Sequence, residues 1–317
     1  MSLKPSHRNI TRQIKFEGAF RHDSFITMAK HHTDVLPMAS FVVVFSLFTT
    51  SFIVDLSEGQ MVPAIYVFGD SLADVGNNNY LKISLVKADF PHNGVDYPDK
   101  VATGRFGNGK NSTDFLAEKV GLPPSPPYLA LVSKSNRRKV SFVDGASFAS
   151  GGAGIFNGSD EQFRIHALGA QKFVVVGTGP VGCCPSQRDS NTEECNDGAN
   201  SLSVMYNEAL KSMLQQLKPA LGISYTLFDT YSVLTNIVQN AASYGFTEVK
   251  TACCGIGQLN AKGPCLPVAS LCSNRRDHVF WDFYHPTQAT HGIIVDKLFD
   301  GPSEYSSPMT VKELIAL

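Results

Sequence analysis

The chain has 317 residues, enough for one large domain or two small ones. Hydrophobic residues make up 43% and charged residues 17%, which is an ordinary globular composition. The formal net charge of −1 gives no reason to expect a nucleic-acid partner. No apolar run reaches the ~20 residues of a membrane helix, so stable membrane insertion is not expected.

The N-terminal region differs from the rest. Residues 1–37 hold six Lys or Arg, four His and three acidic residues without apolar periodicity, and we expect a disordered or upstream extension with Met38 as an alternative start. Residues 41–54 are largely apolar and match the core of a secretory signal peptide, although a buried strand pair is an alternative. The sequence therefore predicts a signal peptide over 38–60, a folded domain over 61–317 and secretion.

The cysteine content also favours secretion. Seven cysteines lie in the C-terminal half, at positions 183, 184, 195, 253, 254, 265 and 272. Behind a signal peptide they predict disulfides, and the odd number leaves at least one thiol unpaired within the chain. Zinc binding by the last four is the alternative, but adjacent cysteines lack the usual two-residue gap. Asn111 and Asn157 begin glycosylation acceptor motifs.

Strand and helix patterns alternate along the chain. Apolar runs predict strands over 64–68, 140–149, 172–177 and 224–228, and three asparagines at 77–79 indicate a loop. Helical spacing predicts helices over 111–120, 202–221, 231–242 and 287–299. In the second of these the apolar residues that give the helical spacing are at 202, 205, 210, 213, 214 and 217. This alternation indicates an α/β sandwich with a mostly parallel sheet.

Candidate chemistry lies where strands end. Ser71 follows the first predicted strand, and ligands bind beyond the carboxyl ends of strands in such sheets. A serine nucleophile needs a base. Near the other terminus Asp282 and His285 are separated by two residues, and a turn ended by Pro286 could place both side chains on one side. Asp282 would then orient His285, and His285 would accept the proton of Ser71. A surface turn is the alternative for the Asp-x-x-His pair.

Four segments together resemble the plant GDSL esterase/lipase family within the SGNH hydrolase group. They are residues 63–79 (with Gly69-Asp-Ser-Leu72), 145–154, 172–185 and 280–287. Shorter matches at 244–246 and 252–257 fall between them, and the resemblance covers roughly residues 63–300. A GDSL tetrapeptide alone would be a weak signal, but the ordered set of segments is specific.

The resemblance implies a three-layer α/β/α fold and hydrolysis of small-molecule carboxylic esters or lipids. It assigns the nucleophile to Ser71 and the other triad roles to Asp282 and His285. It places oxyanion-hole donors on the backbone N–H groups of Ser71 and Gly151, with Gly152 as the alternative alignment. It implies no metal and no organic cofactor. The natural substrate and the oligomeric state stay open.

One family segment has no counterpart here. The third conserved block carries a Gly-x-Asn-Asp element whose asparagine is a further oxyanion donor. Asn157 has no strand before it, and Asn196 lies in the cysteine-rich region. Only 22 residues, 150–171, separate the neighbouring predicted strands. That length allows one crossover but not an additional βαβ unit of ~30 residues. We expect an internal truncation near 155–170, loss of one central strand, and either movement of the Lys172 strand into its place or a gap.

Two other functions stay open at this stage. A GDSL-derived protein that is catalytically impaired or inactive would follow from the missing asparagine. A phosphatase using Asp70 would need a second carboxylate two residues later, where the chain has Leu72.

Overall fold

Two short strands pair in parallel and position the segment that contains Ser71. The computed structural model describes residues 59–133, 142–154 and 169–317. Strand β1 (Ile65–Val67) pairs in parallel with β2 (Gly145–Ser147), with Tyr66 opposite Ala146. Both strands were predicted from their apolar runs, and both are shorter than the runs themselves. The expectations for residues 1–37, for 38–58 and for Asn157 lie outside the described residues.

Helix α1 (Ser112–Lys119) confirms the helix predicted over 111–120. Asn111 is its N-cap: the side chain accepts hydrogen bonds from the N–H groups of Thr113 and Asp114, while Asp114 accepts from the Asn111 N–H at 2.9 Å. This reciprocal capping box fixes the start of the helix. A single further turn, α2 (Tyr128–Leu131), follows the proline-rich loop and was not predicted.

A second parallel pair forms the larger sheet. Strand β3 (Lys172–Val176) pairs with β4 (Ser224–Phe228) in a register that sets Lys172 opposite Ser224. The crossover between them is α3 (Asp197–Leu221), which ends at Gly222 with a φ of 65°. This left-handed backbone conformation is the usual helix terminator. Helix α4 (Thr230–Gln239) follows β4.

The apolar stripe of α3 is only partly buried. Leu202 and Met205 are each 67% exposed, whereas Leu214 is buried. On the same helix the Asn207 side chain accepts from the Thr178 N–H and donates to the Thr178 carbonyl, both at 2.8 Å. These two bonds tie α3 to the segment that follows β3.

The C-terminal elements close the core. Helix α5 (Gln288–Asp300), predicted over 287–299, packs against α1. Strand β7 (Ser306–Ser307) pairs antiparallel with β4, and α6 (Val311–Ala316) follows it. The main core includes buried side chains from α1, β4, α4, α5 and α6: Ala117, Phe228, Val233, Ile237, Ile294, Leu298 and Val311.

The sheet is interrupted where a central strand was expected to be missing. In the described part of the chain, β1–β2 and β3–β4–β7 are separate sheets with no ladder between β1 and β3. The Lys172 strand has therefore not moved into the vacancy, and the second alternative, a gap, is the observed one. Side chains that such strands normally bury are exposed, including Val176 at 54% and Tyr66 at 51%. The fold is α/β with small, mostly parallel sheets.

Three disulfides lie in the C-terminal half, as the cysteine pattern predicted. Cys183 pairs with Cys195, Cys253 with Cys272, and Cys254 with Cys265. The last two use all four thiols considered for zinc, so that alternative is wrong. They flank a small hairpin of β5 (Cys254–Gly255) and β6 (Ser270–Leu271). Cys184 is the remaining thiol, and burial followed by the charge of Asp282 raises its pKa to about 12.

Within the described ranges, no helix combines the length and the apolar character that crossing a membrane requires.

Candidate active site

A tight turn after β1 presents Ser71. The Asp70 carbonyl accepts from the N–H groups of Ala73 and Asp74, and the Asp70 carboxylate accepts from the Leu72 N–H at 2.9 Å. These bonds close the chain into a turn around Ser71. In the described residues the Ser71 N–H has no hydrogen-bond partner, so this amide is available to a bound group.

Asp282 and His285 lie together in a second turn. Asp282 Oδ1 accepts from the backbone N–H groups of Tyr284 and His285, both at 2.9 Å. The same carboxylate contacts His285 Nδ1 at 2.8 Å through Oδ1 and 2.9 Å through Oδ2. The Trp281 N–H donates to the His285 carbonyl at 2.7 Å and closes the turn. Both functional side chains are buried.

The two turns meet across 214 residues of sequence. His285 Nε2 lies 2.8 Å from Ser71 Oγ, which is hydrogen-bonding distance. Burial disfavours the charged imidazole, but the attraction and hydrogen bonding of Asp282, together with the charge of Asp70, outweigh it and raise the pKa of His285. The structure thus brings together the three side chains singled out in the sequence, in the order hydroxyl, imidazole, carboxylate.

Gly151 does not have the position expected of an oxyanion donor. Its N–H donates to Asp74 Oδ2 at 2.9 Å, and its carbonyl accepts from Asn78 Nδ2 at 2.8 Å. Because the single amide hydrogen points at a buried carboxylate, the expectation for Gly151 is corrected. The next amide, that of Gly152, has no hydrogen-bond partner among the described residues. Gly152 has a φ of 85°, a conformation that favours glycine.

A second serine–histidine pair lies nearby but lacks an acid. Ser112 Oγ is 2.7 Å from His291 Nδ1. Burial, followed by the repulsion of His285, lowers the pKa of His291 to about 4, so this imidazole stays neutral. No carboxylate of the described residues hydrogen bonds to it. No cluster of three or more His, Cys, Asp or Glu side chains suited to a metal ion occurs in the same ranges.

Two asparagines considered in the sequence have structural roles. Asn111 is 6% exposed, and besides capping α1 its Nδ2 donates to the Asp74 carbonyl at 3.3 Å. A glycan on that nitrogen would have no room in the folded protein, because Nδ2 belongs to a buried side chain and faces the Asp74 carbonyl, so Asn111 is withdrawn as a glycosylation site. Asn196 caps α3 by accepting from the Ala199 N–H at 3.0 Å and is not a substitute oxyanion donor.

Sequence reasoning missed the residues that join the first two family segments. Asp74 is fully buried, and besides Gly151 it accepts from the N–H groups of Gly76 and Asn77 at 2.7 and 2.8 Å. The Asn77 side chain donates to the carbonyls of Ser147 and Ala149 at 2.7 and 2.8 Å. Residues 77–80 therefore form a 3₁₀ turn that clamps the loop after β2, rather than a loose loop. The available signal was a run of hydrogen-bonding side chains directly after a buried strand.

A buried ion pair fixes the neighbouring loop. Arg105 Nε and Nη2 each lie 2.7 Å from the carboxylate of Asp114, and both side chains are nearly inaccessible. Such bidentate pairs combine charge with fixed geometry. The loop before α1 is thereby held against the turn that carries Asp74, whose neighbour Val75 accepts from Arg105 Nη1 at 3.4 Å.

We expect Arg105→Ala to lower the free energy of unfolding by about 3–5 kcal/mol, because it leaves the Asp114 carboxylate buried without its partner. Urea denaturation measures the loss. Arg275→Ala is the matched control, since Arg275 makes the same two-point contact with Asp96 in a partly exposed pair. Its loss should be smaller. Equal losses in the two variants would contradict the role assigned to burial.

Known proteins resemble this chain over most of its length. The family model described as GDSL-like Lipase/Acylhydrolase matches residues 65–164 and 159–298. One protein of Arabidopsis thaliana, named GDSL esterase/lipase, is 42% identical over 339 aligned positions that cover 80% of this chain and 90% of the relative. Another of the same name and organism is 32% identical over 325 positions, covering 77% and 90%.

The alignments are longer than the part of the chain they contain. Eighty per cent of 317 residues is about 254. About 85 of the 339 positions aligned with the first relative therefore have no counterpart in this chain. The two matches to the family model also overlap over residues 159–164. Together the matches cover well over half of the sequence and include Ser71, Asp282 and His285. The chain belongs to the GDSL-like lipase/acylhydrolase family.

Proposed function

We propose that this chain hydrolyses carboxylic esters, including lipid esters, with Ser71 as nucleophile, His285 as general base and Asp282 as the orienting acid. The observation that carries the proposal is the continuous hydrogen-bond path from Ser71 Oγ through His285 to Asp282. Family membership supports the reaction class, and the geometry supports the individual roles.

The arrangement supplies each step of acyl transfer. Ser71 Oγ attacks the ester carbonyl carbon while His285 Nε2 takes its proton. The tetrahedral intermediate then expels the alcohol, which receives that proton from His285. Water attacks the acyl-serine in the same way and releases the carboxylic acid. Asp282 holds Nδ1 protonated, so that Nε2 faces the serine with its lone pair.

For the oxyanion we propose the N–H groups of Ser71 and Gly152. The support is that Gly151 is engaged by Asp74, whereas these two amides have no hydrogen-bond partner among the described residues. Preorganised backbone donors of this kind stabilise the negative charge that develops on the carbonyl oxygen.

The test is hydrolysis of p-nitrophenyl butyrate by the purified chain, combined with covalent labelling by a fluorophosphonate. Mass spectrometry should find the label on Ser71. Ser112 is an internal control, because it also contacts an imidazole but lacks a carboxylate partner. A rate equal to that of buffer together with an unlabelled Ser71 would refute the proposal.

A catalytically impaired form is the second candidate. The observations that favour it are the missing Gly-x-Asn-Asp element and the interrupted sheet. We infer that the unmatched alignment positions fall near 155–170, between the two halves of the family match. Loss of one oxyanion donor typically costs ~10²–10³ in turnover. A kcat lower by this factor than that of an uninterrupted relative assayed in parallel would favour the impaired form.

The pH dependence of kcat/KM follows from the raised pKa of His285. The imidazole must be neutral to accept the serine proton, so activity rises as pH passes the pKa of His285 in the free enzyme. We expect the midpoint above the ordinary histidine value of ~6.5, measured from pH 5 to 9. Asp70→Asn should move the midpoint down, because it removes a charge that favours the imidazolium. A midpoint below the ordinary value would contradict the electrostatics described.

We also propose secretion through a signal peptide over 38–60, with Asn157 as the remaining glycosylation candidate. The support is the apolar stretch over 41–54 together with three disulfides, which persist in oxidising compartments. N-terminal sequencing of protein recovered from the medium of expressing cells tests this. A chain retained in the cells that still begins at Met1 or Met38 would refute it.

A further inference from the structure

An aromatic ring lies between the imidazole and the glycine turn. The Phe106 ring centroid is 5.2 Å from that of His285, with 31° between the planes. On its other side the ring reaches Gly151, because a Cβ atom added to that glycine would lie 2.7 Å from Phe106 Cζ and 2.9 Å from Cε2. The ring thus packs beside the imidazole whose Nε2 contacts Ser71 Oγ.

The loop that carries Phe106 is fixed by polar contacts on both sides. Arg105 is held by Asp114, as described above. Asn108 donates to Asp96 Oδ2 at 2.8 Å and accepts from the Gln288 N–H at 2.9 Å. The Gly107 N–H donates to the Arg105 carbonyl at 2.9 Å, a three-residue turn with Phe106 at its apex.

The ring itself does not stabilise the core. Phe106 belongs to neither of the hydrophobic clusters formed by the described residues, and its side chain is half-buried. A loop fixed by polar contacts therefore presents an aromatic side chain beside His285, outside the hydrophobic core. Ligand sites are typically walled by such aromatic groups.

We infer that Phe106 is the specificity-determining wall that contacts the apolar chain of the ester beside the scissile carbonyl. This inference rests on the proposed function. The ring fills space that a longer or bulkier chain would need, and it limits the substrates that reach Ser71 in a productive position.

The experiment measures kcat/KM in two ester series. The first varies the acyl group from acetate to octanoate on p-nitrophenol, and the second keeps the butyryl group and varies the alcohol from methyl to hexyl. Phe106→Ala should raise the long-to-short ratio in one series by ~10-fold, the size of effect that pocket contacts give. The series that responds identifies the acyl or the alcohol side. Phe106→Leu should give an intermediate ratio, and it provides a second variant if the alanine variant folds poorly.

Tyr206→Ala is the matched control, since this aromatic side chain is 38% exposed on α3 and should leave both ratios unchanged. Unchanged ratios in both series for the Phe106 variants would overturn the inference. A uniform loss for all esters with a displaced pH midpoint would also overturn it, because the ring would then only position His285. If wild-type protein is neither active nor labelled at Ser71, the proposed function fails and this inference with it. If Ser71 is labelled but the long-to-short ratios do not change in the Phe106 variants, only the inference about Phe106 is refuted.

Discussion

Replacing Ser71 with alanine should reduce ester hydrolysis to the rate given by binding alone, a loss on the order of 10⁴–10⁶ in kcat. The nucleophile is the one group of the site that forms a bond to substrate, and no described hydroxyl duplicates its contact with His285. Steady-state assay with p-nitrophenyl butyrate measures the loss. The unfolding midpoint should stay close to that of wild type, because the Ser71 side chain is partly exposed and the turn is closed by Asp70.

Ser112→Ala is the matched control for this substitution. Ser112 Oγ makes a comparable contact with an imidazole, at 2.7 Å, and Ser112 is the first residue of α1. Its removal should change kcat less than twofold. If Ser112→Ala inactivates the enzyme while Ser71→Ala does not, the assignment of the nucleophile is wrong.

Asp282→Asn should lower kcat by about 10⁴ without unfolding the protein. The asparagine oxygen can still accept from the N–H groups of Tyr284 and His285, so the turn is preserved. The new amide, however, can donate to His285 Nδ1 and stabilise the tautomer with the proton on Nε2. That tautomer cannot accept the proton of Ser71. Activity assays together with near-ultraviolet circular dichroism distinguish this effect from a loss of structure.

The chain provides a matched control for Asp282 as well. Asp277 Oδ1 lies 2.6 Å from His278 Nδ1, an acid–imidazole contact in a more exposed setting without a serine beyond it. Asp277→Asn should retain activity within twofold. A loss below ~10-fold for Asp282→Asn, or equal losses in the two variants, would show that Asp282 does not control the tautomer.

Much of the architecture followed from local patterns. The strands at 172–177 and 224–228 agree closely with the structure because each is a clear apolar run. The helices at 111–120 and 287–299 also agree, because each has helical spacing and a capping residue, Asn111 or Thr287. The pairing of Ser71 with the Asp282 turn came from the spacing of the acid and base and from the family segments. Carboxyl ends of parallel strands are where such residues meet.

The errors arose where a distant polar group decides the outcome. The Gly151 amide was expected to face the substrate, but Asp74, 77 residues earlier, accepts its hydrogen. The contact of Asn207 in α3 with Thr178 was likewise not predicted. The extra N-terminal turn of α3 follows from Asn196, a cap that lies before the apolar repeat. The first two contacts cannot be read from spacing, because each depends on which segments meet in three dimensions, whereas the Asn196 cap is a local contact with Ala199.

The hexapeptide from Trp281 to Pro286 has a consequence for how this family tolerates change. It contains both His285, the proposed proton acceptor, and Asp282, which would orient it. The hydrogen bonds between them lie within these six residues. Proton transfer therefore needs only one long-range encounter, that of His285 with Ser71. In the proposed mechanism, a change of length in the middle of the sheet therefore leaves the acid beside the base, and it affects the groups that stabilise negative charge rather than the route of the proton.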